Sequence, residues 1–167
     1  MSYVPAIRQE RADDTPRVRA VLEAAFAGST EADLTDKLRA GGDLILALVA
    51  ELPGSIAGYV AFPRLTLDLG DRSVPVVGLA PVGVSPSGQR QGIGSAMIRA
   101  GLGRLKDRGE GLVFVLGEPD YYRRFGFEVM AGFASPYAGP YFQTLKLVPH
   151  APDSGTVVYP KPFADLG

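Results

Sequence analysis

Residues 82–95 read VGVSPSGQRQGIGS, from Val82 to Ser95: an apolar strand, a turn rich in proline, serine and glycine, and the first turn of a helix. Backbone N–H groups at a helix start have no intrahelical partner, and the helix dipole adds partial positive charge there. Gly92 and Gly94 carry no Cβ, so a bulky phosphate can approach the backbone. The stretch predicts an anion site, with a purely structural turn as the alternative.

Two common phosphate-binding motifs do not fit this stretch. A Rossmann fingerprint needs a third glycine, but Gly94 is followed by Ser95, Ala96 and Met97. A P-loop needs a Gly-Lys-Ser/Thr sequence, which is absent here. The glycines alone therefore leave the ligand open.

The elements that follow the turn predict a crossover unit. Apolar residues recur at helical spacing from Gly92 to about Arg108, and Leu112 to Leu116 is a continuous apolar strand of the kind buried on both faces of a sheet. Strand, helix and strand in this order indicate a parallel pair. Pro119 then suits the start of a short helix, and Gly126 suits its left-handed end.

The rest of the chain predicts strands and helices around this unit. An edge strand from Tyr3 to Arg8 precedes a helix capped by Asp13 or Asp14. Hydrophobic patterning and turn signals then predict a second helix at 31–39, strands at 44–50, 55–67 and 74–84, later strands at 127–130, 141–148 and 156–159, and a closing tail or turn at 160–162.

Composition limits the class of protein. The length favours one domain over 1–167, with strands and a tail at 131–167, and the net charge of -1 argues against a nucleic-acid partner. Without cysteine there is no disulfide, thiolate metal site or cysteine nucleophile, and the only histidine, His150, lies in a turn-like stretch. No metal site is expected. No leader or membrane-length apolar run is visible, so we expect a cytoplasmic, bacterial protein without a membrane partner.

A second motif gives the anion turn a family context. Gln89-x-x-Gly92-x-Gly94, followed after one strand by Tyr122-x-x-x-Gly126-Phe127, resembles the GNAT superfamily of acetyl-CoA-dependent N-acetyltransferases. Residues 92–96 and 116–127 resemble a bacterial subgroup of predicted N-acetyltransferases. The element order matches from Tyr3 to Met130, and the motifs match over 82–96 and 116–127.

The resemblance implies an α/β fold with a mixed, mostly antiparallel central sheet and helices on both faces. The fourth and fifth strands, at 74–84 and 112–116, would be a parallel pair that splays apart to admit the pantetheine arm of acetyl-CoA. Main-chain groups of Val82 and Val84 would bind the arm. Around the pyrophosphate the resemblance places Gln89, Arg90, Gln91, Gly92, Gly94 and Ser95. Many members have arginine where this chain has Gln89, so the positive charge must come from Arg90, Arg123 or Arg124, or be absent.

The resemblance also implies the activity: direct transfer of acetyl from acetyl-CoA to a primary amine in a ternary complex. This chemistry needs an oxyanion donor, an acid for the thiolate and a base for the ammonium. A backbone N–H near Val82 is the candidate donor, and Tyr122 is the candidate acid, with aromatic packing as its alternative. Tyr121 is assigned to the core because it lies four residues before Phe125.

The base and the acceptor are the open points. Residues 76–82 contain no carboxylate, so Glu118 is the candidate base, although Glu118 and Asp120 also suit a helix start. By family analogy Tyr137, Tyr141, Phe142 and residues 28–33 shape the acceptor pocket. The acceptor remains a small molecule or peptide amine, and a homodimer is allowed. The rival function is a non-catalytic module that binds CoA or acyl-CoA.

Overall fold

The computed structural model describes residues 4–166, and within them one nine-stranded mixed sheet carries helices on both faces. The strands are β1 (Ala6–Gln9), β2 (Leu44–Leu52), β3 (Ser55–Asp68), β4 (Ser73–Gly78), β5 (Val82–Val84), β6 (Leu112–Leu116), β7 (Phe133–Ala134), β8 (Phe142–Lys146) and β9 (Gly155–Val158). The helices are α1 (Thr15–Phe26), α2 (Thr30–Ala40), α3 (Ile93–Asp107) and α4 (Pro119–Tyr122).

The sheet is mostly antiparallel, and its main path runs β1-β2-β3-β4-β6-β8. The parallel pair predicted across the crossover helix is present: β4 pairs with β6 through Val77 opposite Val113 and Gly78 opposite Phe114. β1 lies at the edge, as predicted, and begins at Ala6 in the described residues. Tyr3, the expected first residue of this strand, lies outside them.

Alternation along β2 explains why helices cover both faces. Successive side chains of a strand point to opposite faces of the sheet. Val49 accordingly packs in the cluster that contains Leu22 of α1, whereas Leu48 packs in the cluster that contains Met97 of α3. Both clusters are buried, so burial of apolar surface on each face holds the helices in place.

The predicted fourth strand, 74–84, is two strands instead of one. β4 ends at Gly78, and β5 begins at Val82 and pairs with β3. Between them Ala80 donates to the carbonyl of Ala61, and Ala61 donates to the carbonyl of Pro81, so two residues face one in a bulge. A bulge bends its strand, and here it turns β5 away from β6.

One expectation for the C-terminal third was wrong. Residues 127–130 form no strand: one bridge joins Glu128 to Thr144, and Phe127 is buried in the core. Of the two alternatives predicted for the end of the chain, a tail or a turn, the structure shows a turn, because residues 161–166 form a 3-10 helix. Phe163 packs there against Leu34 and Leu38 of α2, and this contact fixes the segment against the domain.

Candidate active site

The splayed strands leave main-chain groups of β5 facing a gap. Ser85 donates to the carbonyl of Ala57, and the carbonyl of Pro81 accepts from Ala61, so the odd-numbered residues bond to β3. In an antiparallel ladder the intervening residues turn their N–H and C=O groups the other way. Val82 and Val84 therefore present backbone donors and acceptors toward β6, on the side where the strands separate.

The start of α3 forms a cradle of free N–H groups. Its first helical hydrogen bond is donated by Ala96 to the carbonyl of Gly92, at 3.0 Å, and none of the amides of residues 91–95 has an acceptor among the described residues. Arg90 and Gly92 have positive φ angles of 66° and 80°, which curl the chain into the helix. Such a concave row of donors at a helix start binds anions.

A cavity of about 360 Å³ lies at this helix start. We call it the helix-start cavity; its lining residues are Val84, Gly88, Gln89, Arg90, Gly92, Ile93, Gly94, Ser95, Tyr121 and Arg124. Of the residues predicted to bind the cosubstrate or to supply its positive charge, seven line this cavity: Val84, Gln89, Arg90, Gly92, Gly94, Ser95 and Arg124. Of the others, Val82 lines the neighbouring cavity described below. Gln91 lines neither, because its side-chain amide turns back and donates to the carbonyl of Ser87 at 3.2 Å.

Gln89 takes part in the turn itself. Its side-chain amide donates to the carbonyl of Val84 at 3.1 Å, so it links the end of β5 to the loop before α3. The residue that replaces the family's frequent arginine thus holds the turn by a neutral hydrogen bond. Positive charge reaches the cavity from other side chains.

Two arginines supply that charge. Arg90 and Arg124 line the helix-start cavity, and both side chains are exposed. The Arg124 guanidinium lies over the Tyr121 ring, 4.5 Å from its centroid, and its Nε donates to the Tyr121 carbonyl. Arg123, the third candidate, does not line the cavity and pairs with Asp120 at 3.2 Å.

A second, larger cavity of about 580 Å³ opens where β5 and β6 diverge. We call it the apolar cavity; it is lined by Phe26, Glu31, Leu34, Pro63, Gly78, Leu79, Ala80, Pro81, Val82, Phe114, Leu116, Gly117, Glu118, Tyr121, Tyr122, Tyr137, Tyr159 and Phe163. Most of these side chains are aliphatic or aromatic. A ligand here exchanges water for apolar walls.

Tyr122 is held rigidly at the border of the apolar cavity. Its ring packs edge-on to Tyr121 and Phe127, with centroids 5.0 and 5.8 Å away. Burial, together with the nearby Tyr121, raises the pKa of Tyr122 to about 12. The hydroxyl has no hydrogen-bond partner among residues 4–166, and it is therefore a protonated donor free for a ligand.

Tyr121 joins the two cavities. Its ring packs against Phe125 at 5.4 Å, as its spacing predicted, but the residue lines both cavities. Its hydroxyl lies 2.9 Å from the Ser95 hydroxyl at the start of α3. The side chain assigned to the core is in fact a shared wall, which the i to i+4 spacing alone could not show.

Two carboxylates line the apolar cavity. Glu118, the candidate base, precedes α4, is exposed and makes no side-chain cap. Glu31 belongs to the segment 28–33 that was expected to shape the acceptor pocket; it lies in the first turn of α2 and is half-buried. Glu31 and Leu34 share one face of α2 by their spacing of three residues, and both line the cavity.

Of the remaining candidate residues, some line the apolar cavity and others do not. Tyr137 lines the apolar cavity, whereas Tyr141 is exposed and Phe142 is buried in the core, and neither lines it. His150 is exposed and lines neither cavity. Within residues 4–166, no cluster of His, Asp and Glu has the form of a metal site, and no helix is long and apolar enough to cross a membrane.

Comparison with known families gives one match over most of the chain. A family model described as an acetyltransferase (GNAT) domain matches residues 6–130. The N-acetyltransferase YhbS of Escherichia coli K12, itself uncharacterized, is 38% identical over 126 residues, which are 75% of this chain and 74% of that protein.

Solved structures agree with the sequence comparison. A GNAT family acetyltransferase from Brucella melitensis, crystallised with acetyl-CoA, is 38% identical, with a TM-score of 0.81 over 95% of this chain and 97% of that one. Escherichia coli YhbS, crystallised with CoA, is 33% identical, with a TM-score of 0.90 over 100% of this chain and 96% of that one. Both are similar in fold over nearly their whole length.

Proposed function

The chain belongs to the GNAT family of acetyltransferases, and we propose that it moves the acetyl group of acetyl-CoA directly to a primary amine in a ternary complex. The observation that carries this proposal is that the two cavities adjoin at Tyr121, which lines both of them. A ligand whose phosphates lie at the helix start would extend past Tyr121 into the apolar cavity, which Tyr122 also lines.

The residues present fit acetyl-CoA. The free amides of residues 91–95 and the exposed guanidinium groups of Arg90 and Arg124 suit the pyrophosphate. The outward-facing N–H and C=O groups of Val82 and the N–H of Val84 suit the amide-containing pantetheine arm, because an extended ligand can pair with a free strand edge. The Val84 carbonyl already accepts from the Gln89 side chain. When bound, acetyl-CoA supplies the acetyl thioester and its thiolate leaving group.

Two groups of the chain would stabilise the charges that develop. We propose that the Val82 N–H, turned into the gap between β5 and β6, donates to the acetyl oxygen as negative charge builds up there. The Tyr122 hydroxyl would give its proton to the departing sulfur. Since the pKa of Tyr122 is about 12 and that of a thiol is about 8.5, complete prior transfer would cost about 5 kcal/mol. Tyr122 therefore donates as the sulfur leaves, within the same step.

Glu118 is the proposed base for the ammonium. The carbonyl of Glu118 accepts from the amides of Tyr121 and Tyr122, which fixes its backbone beside the proposed acid. An amine with a pKa of about 10 is unprotonated in only about one part in a thousand at pH 7. A carboxylate at the cavity, acting directly or through water, removes that proton as the amine attacks.

The proposal covers the whole chain, 1–167, as one acetyltransferase domain. It keeps the cytoplasmic location expected from the sequence, which the absence of cysteine fits. The rival function, a non-catalytic CoA-binding module, gains its support from the lack of a carboxylate on residues 76–82.

One experiment separates the two functions. Thiol release from acetyl-CoA is measured with a panel of primary amines, while CoA binding is measured by calorimetry on the same protein. We expect CoA to bind and thiol to be released at a rate that depends on the amine. Tight CoA binding without amine-dependent release would support the binding module instead.

A further inference from the structure

Aromatic rings wall part of the apolar cavity. Tyr159 packs edge-on against Tyr137 and Phe163, with centroids 5.0 and 5.3 Å away. Phe163 is itself anchored on α2, so this wall joins the C-terminal segment to the helical layer. Edge-to-face packing keeps the rings in defined orientations, and they form a preformed apolar surface.

The charges at the cavity have one sign. Among the described residues that line it, the charged ones are Glu31 and Glu118, and no lysine or arginine is among them. The Glu31 carboxylate is half-buried and makes no hydrogen bond or ion pair within residues 4–166. A carboxylate partly shielded from water acts more strongly on a neighbouring charge than an exposed one does.

We propose that the acceptor is a primary amine with an apolar aliphatic or aromatic body, a single positive charge and no carboxylate, and that Glu31 selects for it. This inference rests on the proposed function. The ammonium is attracted by Glu31 and Glu118, and the body of the amine is buried against the aromatic wall.

The same surface disfavours other classes of amine. An amino acid carries an α-carboxylate, which would meet two negative side chains without a cation to pair with it. A polyamine or an aminosugar would bury further charges or hydroxyl groups among apolar walls with few partners. Each of these acceptors therefore pays a penalty that a monocationic apolar amine avoids.

A matched pair of probes tests the proposal directly. Phenethylamine and L-phenylalanine share the phenyl ring and the amine but differ in the α-carboxylate. Binding of each to the full-length protein saturated with CoA is measured by calorimetry, and kcat/KM with acetyl-CoA is measured alongside. We expect phenethylamine to be favoured by at least about tenfold in both quantities, and spermidine to bind more weakly than phenethylamine.

Glu31→Gln identifies the selecting residue. The variant keeps the size of the side chain and removes its charge. The ratio of kcat/KM for phenethylamine to kcat/KM for phenylalanine should therefore fall by about tenfold, mainly through KM. Glu23→Gln is the control, because Glu23 is an exposed residue of α1 that lines neither cavity. It should leave the preference unchanged.

The two proposals fail in different ways. If no amine is acetylated but phenethylamine still binds with the stated preference, the proposed reaction fails, and only the preference of the cavity for a monocationic apolar amine stands. If turnover is observed but phenylalanine or spermidine is preferred, or if Glu31→Gln leaves the preference intact, the acceptor class is wrong. Failure of phenethylamine to bind the CoA complex would also overturn it.

Discussion

The ring of Tyr122 lies directly against the α-carbon of Gly117. A Cβ built on Gly117 would come within 2.8 Å of Cδ2 of that ring, closer than real Cβ atoms approach a neighbour. Gly117 also places its carbonyl toward Gln143, whose side-chain amide donates to it at 2.9 Å. Gly117, which directly follows β6, therefore positions Tyr122, the proposed acid of the reaction.

Gly117→Ala should displace the Tyr122 ring while the helix-start cavity stays intact. We expect kcat to fall by about 100-fold, because a shift of about 1 Å at a reacting group has effects of that size. The Kd for CoA should change little. Steady-state kinetics and calorimetry measure the two quantities, and Gly103→Ala, at a glycine with no neighbour within 4 Å, is the control. Equal kcat in both variants would contradict this positioning role.

Tyr122→Phe should remove the proposed proton donor and leave the ring packing in place. We expect kcat to fall by about 100-fold or more, within the range of general acid catalysis, with unchanged CoA affinity. Because the pKa of Tyr122 is about 12, the wild type should show no alkaline loss of kcat from this group up to pH 10. The exposed Tyr141, changed to Phe, is the matched control. A variant that keeps wild-type kcat would exclude Tyr122 as the acid.

Gly94→Asp tests the helix-start cavity without backbone strain. A Cβ at Gly94 would lie 3.6 Å from the Tyr121 hydroxyl and from Val84 Cγ2, which is ordinary contact, whereas Gly92 has a positive φ that any other residue would strain. The new carboxylate would oppose the phosphates, so the Kd for CoA should rise by about 100-fold. Gly103→Asp, on the same helix, should leave the Kd unchanged. If the two variants bind CoA alike, the pyrophosphate lies elsewhere.

Gly101→Ala and Gly103→Ala should change the free energy of unfolding in opposite directions. The sequence shows two helix-weakening glycines, and the structure explains one: a Cβ at Gly101 would collide with Cε2 and Cζ of the buried Phe62 ring. Gly101→Ala should therefore lower the free energy of unfolding by about 1–3 kcal/mol. Gly103→Ala should raise it by up to about 1 kcal/mol, since alanine favours the helix. Urea titration of both variants checks the sign of each effect.

Asp14 should make the protein sensitive to acid. Its fully buried carboxylate accepts two hydrogen bonds from the Arg8 guanidinium, at 2.8 and 2.9 Å, and the pKa of Asp14 falls from 3.8 to about 2. A carboxylate whose pKa is lower in the folded state stabilises the fold above its unfolded pKa and loses that contribution as pH falls toward 2. The contribution is about 2 kcal/mol.

We expect the free energy of unfolding to drop by about 2 kcal/mol more in the wild type than in Asp14→Asn between pH 5 and pH 2. Urea titrations of both proteins at the two pH values measure the difference. Carboxylates that do not share Arg8 with Asp14 titrate alike in both proteins and cancel in the comparison. Equal drops in the two proteins would show that Asp14 does not carry this sensitivity.

Local patterns in the sequence were enough to predict many of the helices and strands of this protein. Helical spacing and turn residues placed α1, α3 and β6, and Gly126 ends its short helix with a φ of 97°. Two motifs one strand apart were enough to indicate the GNAT family and its parallel pair; the family match confirms the first prediction, and the pairing of β4 with β6 confirms the second. Each of these features depends on residues that lie a few positions apart in the chain, so it can be recognised from the sequence alone.

Other features depend on residues far apart in the chain and were decided by packing. Apolar residues from 74 to 84 read as one strand, but pairing with Ala61 creates the bulge that splits it and opens the gap. Family analogy indicated residues 28–33 for the acceptor pocket, but it did not indicate Phe163, more than a hundred residues later, which lines the same cavity as Glu31 and packs on α2. The sequence by itself determined most of the helices and strands and the family to which the chain belongs. Only the tertiary structure decided which side chains meet around the acceptor, because those contacts join segments that carry no local signal of one another.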